Sequence, residues 1–209
     1  MKIPLGAFGK LEHDDLGTVV GWHSLLDHMI DVAACFECLS ACRSIRRAME
    51  KTAGRALDER DIARLSVLVF LHDIGKANSG FQAKRWKDKQ SIPDAWPSHA
   101  GHGSEAIKLF YETQTRRPIE PLIEKICLWG DASDALLIAS ISHHGRPIKD
   151  HPGDWNKNIW KPVPGAYDLA AVLQDIGKRV VDIYPHAFES GTQPLPDAPA
   201  FGHLLAGLV

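Results

Sequence analysis

Residues 58–76 read DERDIARLSVLVFLHDIGK, and the reading of the chain turns on this stretch. Asp58 followed three positions later by Asp61 is a capping-box pattern. Ile62, Leu65 and Val69 then recur at helical spacing as far as His72, and Gly75 is placed to end the segment. An apolar helix running straight into His72-Asp73 carries metal-capable groups to a buried place, where unpaired polar groups cost several kcal/mol. ALLIASISHH at 135–144 repeats the arrangement, with Gly145 and Pro147 closing it.

Helical spacing continues outward in both directions. It predicts a first helix from Trp22 to about Glu50, with Leu25, Leu26, Met29, Val32, Ala33, Phe36 and Leu39 on its inner face. Further helices are predicted at about 103–115, after Pro118 to Trp129, from Asp131 to His144, and from about Tyr167 to Tyr184. A Pro-rich turn at 194–199 precedes an apolar FGHLLAGLV at the end. Alternating strand-like runs are nearly absent, and there is no Asn-Gly or Asp-Gly hairpin signal. Residues 77–101 and 145–165 are broken by Pro and Gly and read as two irregular loops, the first at the surface. The expected fold is an all-α helical bundle carrying two functional loops.

Composition narrows the class. In 209 residues, 44% are hydrophobic and 24% charged, an ordinary globular balance that needs no disulfide framework. Cys35, Cys38 and Cys42 fall along one helical stripe and read as core packing, and Cys127 stands alone. Lys and Arg number 24 against 26 Asp and Glu, so any nucleic-acid binding must be local. No signal peptide and no run of about 20 apolar residues is present, which gives the expectation of a cytoplasmic protein with no membrane partner. The apolar ending at Val209 reads as a chain cut short: a single domain over 1–209 that is part of something longer.

The 11 histidines matter by position. Imidazoles bind divalent transition ions, and one carboxylate can bridge two ions roughly 3.5–4 Å apart. Asp73 is the natural bridge, and Lys76, one turn on, can meet a phosphate oxygen as a point charge. KRWKDK at 84–89 gathers four cations around Trp86, just after Phe81 and Gln82. That mixture suits a single strand, whose phosphates are attracted while its bases stack; a solvated loop anchored by Trp86 reads equally well. Trp155 and Trp160 carry the same two readings.

Four stretches, WHSLLDHMIDVAA (22–34), FLHDIGKANSGFQAK (70–84), HGSEAI (102–107) and ISHHGRP (141–147), give the chain its likeness to known proteins. It resembles the HD superfamily of metal-dependent phosphohydrolases and, within it, the HD nuclease domain of the CRISPR-associated helicase-nuclease of type I systems. The HD-x-GK-x-x-x-x-FQ continuation and the HHG pair carry the narrower likeness.

The resemblance implies an HD-domain bundle with His72, Asp73 and Lys76 as catalytic residues. It implies metal ligation by His28 (with His23 competing), His72, Asp73, His102 (with His99 competing), His143 and His144. Lys76 would meet substrate phosphate, and the basic and aromatic run read above adds Phe81, Gln82, Lys84, Arg85 and Trp86 as substrate contacts. Two divalent ions, of Mn, Ni, Co, Fe or Zn, would serve hydrolysis of single-stranded DNA in CRISPR interference. The implied partners are a helicase domain or subunit and the RNA-guided surveillance complex; no Walker A pattern occurs here, so the motor lies elsewhere. The family's closing aspartate would follow the AGLV at 206–209. Two other functions fit the same residues: an HD phosphohydrolase of a mononucleotide or signalling nucleotide, and a non-catalytic HD binding module.

Overall fold

The computed structural model describes residues 6–142, 157–191 and 193–209. Helices dominate it, as the spacing predicts. The α-helices are α1 (Leu25–Ala41), α2 (Arg43–Ala53), α3 (Glu59–Phe70), α4 (Ser79–Gln82), α5 (Gly103–Tyr111), α6 (Thr113–Arg116), α7 (Glu120–Cys127), α8 (Ala132–Ile141), α9 (Leu169–Ile183) and α10 (Pro199–Ala206). No helix among the described residues is long and apolar enough to cross a membrane.

The chain divides into two compact units. One draws on Met1–His28, Asp73–Ile119 and Ile148–Ile176; the other on Met29–His72, Glu120–Pro147 and Gly177–Val209.

In the second unit α3 is the centre. Asp58 accepts from the Asp61 backbone N–H, and the Asp61 side chain accepts from that of Asp58, so the capping box is complete. Asp61 also receives the Arg55 guanidinium. From Arg64 to Phe70 every residue is buried, so this half of the helix is enclosed on all sides rather than amphipathic. Arg64 keeps its charge there by donating to the carbonyls of Ala187 and Gln193 and lying over the Trp129 ring. α3 packs on α8, and α8 on α7 and α10.

Four expectations change. The predicted 22–50 helix is two helices, because Cys42 adopts an extended backbone (φ −66°, ψ 126°) and Arg46 takes the Ser40 carbonyl that a continuous helix would use. α2 then stops at Gly54, whose left-handed φ of 70° no side-chained residue favours. The cysteine stripe is exposed rather than core, and Leu39 is 37% exposed. Leu25, His28, Met29, Ala33, Phe36 and Ser40 are the buried positions of α1; Cys35 and Cys38 stand on its exposed face and Cys42 just beyond its end.

The third change is a two-stranded antiparallel hairpin in the first unit, β1 (Phe8–His13) and β2 (Val19–Ser24). Its turn, Asp14–Thr18, closes through the Asp14 carboxylate, which accepts from Leu16 and Thr18, and through Gly17 at φ 75°. β2 runs directly into α1, whose first turn is capped by Ser24 and Asp27: the Asp27 N–H bonds Ser24 Oγ, which donates to Asp27 Oδ2.

The loop predicted at 77–101 also divides. Residues 77–83 are core, and only beyond them does the chain surface, with Trp96 returning to the interior. Trp160 is 6% exposed and therefore packs, while Trp155 and the stretch 143–156 lie outside the described residues.

Asp58→Ala is expected to remove about 1–2 kcal/mol of stability by opening the capping box; urea unfolding followed by circular dichroism measures it, and an unchanged midpoint would contradict the role.

Candidate metal centre

After α3 the backbone tightens into a 3-10 segment, Leu71–Ala77, that carries His72, Asp73 and Lys76. Asp73 leaves helical geometry (φ −109°, ψ 15°), which turns its side chain out of the helical series. Asp73 is 1% exposed. His28 Nε2, from the first turn of α1, lies 2.9 Å from Asp73 Oδ2, Lys76 Nζ 2.6 Å from the same oxygen, and His102 Nε2 3.2 Å from Oδ1.

His72 is tied to Asp73 by the peptide bond itself. Its Nδ1 lies 2.8 Å from the Val69 carbonyl, which only accepts, so Nδ1 carries a proton and Nε2 is the ring nitrogen left as the metal-ligating atom of the set. His28, His72 and Asp73 offer ligand atoms that all lie within 4.8 Å of one another. Neutral imidazoles beside a carboxylate form the donor set of a divalent transition ion, so the residues fit the metal that the sequence implies.

The competing histidines sit in different surroundings. His28 bonds Asp73, while the His23 ring stands edge-on to His28 at 6.2 Å between centroids. His102 reaches Asp73, while His99 donates to the Ala83 carbonyl at 3.1 Å. His143 and His144 lie outside the described residues.

Two glycines permit this convergence. A Cβ on Gly75 would fall 1.8 Å from the His102 carbonyl oxygen, so Gly75 serves close approach rather than ending a helix. A Cβ on Gly9 would fall 2.8 Å from His28 Cβ, which lets strand β1 pass against that imidazole.

Gln82 is fully buried. Its Oε1 accepts from the Phe8 N–H at 3.0 Å, and its Nε2 donates to the carbonyls of Phe8 (3.0 Å) and Lys76 (2.8 Å). The amide thus staples the hairpin to the HDIGK segment and holds it in place. Phe81 stands beside the centre, edge-to-face with His102 at 5.5 Å and tilted against Phe8 at 5.5 Å.

Sequence reasoning passed over Asn78, Ser79 and Tyr167. Asn78 caps α4 through Oδ1 and donates to the Gly75 and Gly101 carbonyls, fixing the backbone just before His102. Ser79 Oγ donates to the Ile159 carbonyl and Tyr167 to that of Ala77, both buried. Burial pushes the Tyr167 phenol up, so it remains a donor. An Asn four residues before Gln82 was the only local hint, as a helix cap; the other two need partners about 80 to 90 residues away.

A family model described as Cas3, HD domain, matches residues 8–209. No curated protein and no solved structure matches the chain.

Gly75→Ala is expected to push the His102 backbone aside, lowering the melting temperature and weakening Mn²⁺ binding by about 10–100-fold in calorimetric titration; wild-type affinity would refute the close-approach role. Gln82→Ala, which strands one buried N–H and two carbonyls, is expected to cost about 2–4 kcal/mol in chemical unfolding. A loss below about 0.5 kcal/mol would show that the staple is dispensable.

Proposed function

Because the chain belongs to the Cas3 HD-domain family, whose members are metal-dependent nucleases of type I CRISPR systems, we propose that it hydrolyses phosphodiester bonds of single-stranded DNA during CRISPR interference. The observation that carries this reading is the convergence of His28, Lys76 and His102 on one buried carboxylate, with His72 at its side. The strand would be delivered by a helicase domain or subunit working with the RNA-guided surveillance complex.

In this reading His28, His72 and Asp73 hold one divalent ion, and Asp73 with His102, His143 and His144 a second. Bound there, divalent ions lower the pKa of water and offset the charge of the phosphate. The protein's own part is to position. His72 is held by the Val69 carbonyl through Nδ1, with Nε2 as its ligand atom, and Gly75 sets His102 at the far oxygen of Asp73. Lys76 places its ammonium against Asp73 and beside the Phe81 ring, 5.7 Å from its centroid, where it steadies the carboxylate and meets a phosphate oxygen of the strand. Lys84, over the Phe81 ring, continues the strand path beyond it.

Incubating the chain with circular single-stranded DNA and Mn²⁺, Ni²⁺ or Co²⁺ tests the proposal. Cleavage is expected, blocked by chelator and reduced at least 100-fold in His72→Ala and Asp73→Asn, with free mononucleotides left intact. Absence of cleavage, equal cleavage by the variants, or hydrolysis confined to mononucleotides would overturn it.

A further inference from the structure

KRWK at 84–87 looks in sequence like one basic patch, but the structure gives its cations different work. Arg85 Nε donates to the Gln82 carbonyl at 3.0 Å and Nη2 to Gln82 Oε1 at 3.4 Å. Its guanidinium lies over Trp96 at 5.1 Å and over Trp86 and Phe8 at 5.7 Å each. Trp86 in turn stacks edge-to-face on Trp96 at 5.0 Å. Arg85 is thus the cation at the middle of an aromatic cluster, its donors turned to Gln82. Lys87 donates to the Leu16 carbonyl in the hairpin turn.

Lys84 is built differently. It is half-buried, its Nζ stands 4.4 Å from the Phe81 centroid, and among the described residues its ammonium has no hydrogen bond or ion pair. The other face of its surroundings is cationic too, since Lys76 approaches the same ring. Burial pulls the Lys84 ammonium below the ordinary lysine range; Glu105, at longer range, opposes this and Lys76 adds to it. A partly desolvated ammonium on an aromatic shelf, next to a second lysine at the metal centre, is a place where an anion lowers the energy of the site.

We infer that Lys84, shelved on Phe81, binds the phosphate neighbouring the scissile one, while Arg85 is a scaffold cation that does not touch the strand. The inference rests on the nuclease reading above and sharpens its substrate: a chain with consecutive phosphates, one at Lys76 and the next at Lys84. Phe81 is then the spacer between two cations, and its contact with His102 couples the shelf to the metal centre.

Fluorescence anisotropy of a 5′-labelled thymidine 20-mer, in EDTA so that no strand is cut and over a range of salt concentrations, tests the assignment. Lys84→Ala is expected to weaken binding about five-fold and to reduce the slope of log affinity against log salt by about 0.7, the loss of one phosphate contact on a single strand. Lys84→Arg is expected to restore the slope. Arg85→Ala is expected to lower the melting temperature while keeping it. A wild-type slope in Lys84→Ala, or a slope lost in Arg85→Ala instead, would overturn the assignment while circle cleavage by the wild-type chain kept the nuclease reading intact. A wild-type chain that neither bound the 20-mer nor cut circles would remove both.

Discussion

The buried carboxylate of Asp73 is the constraint around which the first unit is arranged. An anion 1% exposed is tolerated only when its charge is answered on the spot, and three donors from separate stretches answer it. His28 comes from a capped helix start, Lys76 from the same 3-10 segment, and His102 from the residue just before α5. Each donor needs its own local device: the Ser24–Asp27 cap for α1, the tight turn after α3, and the Gly75 backbone pressed on His102. Any one of them relaxed would take a partner from a buried charge, so the demands of the carboxylate propagate into backbone geometry several residues away.

The same constraint explains why the hairpin belongs to the centre. Strand β1 closes on His28 at Gly9, and Gln82 binds Phe8 through both of its backbone groups. The amide also holds the Lys76 carbonyl, so one buried side chain links the strand to the segment that carries Asp73. The fully buried positions 77–83 are thus the floor of the centre, although their Gly and polar content resembles a surface loop. Polar residues can line a floor when each finds a backbone partner, and Asn78, Ser79 and Gln82 all do.

What was legible in the sequence was what depends on near neighbours. The Asp58–Asp61 capping box, the apolar run into His72-Asp73 and the helical character of the chain are short-range patterns, and they appear where the spacing puts them. Phase was less legible than period. Cys35 and Cys38 do share a stripe of α1, but spacing alone does not say which stripe faces inward; Phe36 and Met29, on another face, settle that. The hairpin was missed because its turn, DDLGT, works through an aspartate side chain and Gly17 rather than through the two-residue signals that identify the tightest hairpins. The stapling role of Gln82, read in the sequence as a substrate contact, and the role of Tyr167 were beyond reach for a simpler reason: their partners lie 74 and 90 residues away. His143 and His144, read as ligands of a second ion, lie outside the described residues.

Gly75 shows how one residue can satisfy a motif for a reason other than the expected one. A glycine after an apolar helix suggests a left-handed cap, yet the left-handed glycines among the described residues are Gly17, Gly54, Gly130 and Gly165. At Gly75 the missing Cβ matters as space, because the His102 carbonyl occupies it. The spacing between HD and GK is then a distance requirement: with Asp73 and Lys76 on one short segment, the only residue between them free of a side chain is where a second strand of backbone can come close enough to deliver an imidazole. Short motifs of this kind encode contact between backbones as much as the chemistry of the side chains that make them recognisable.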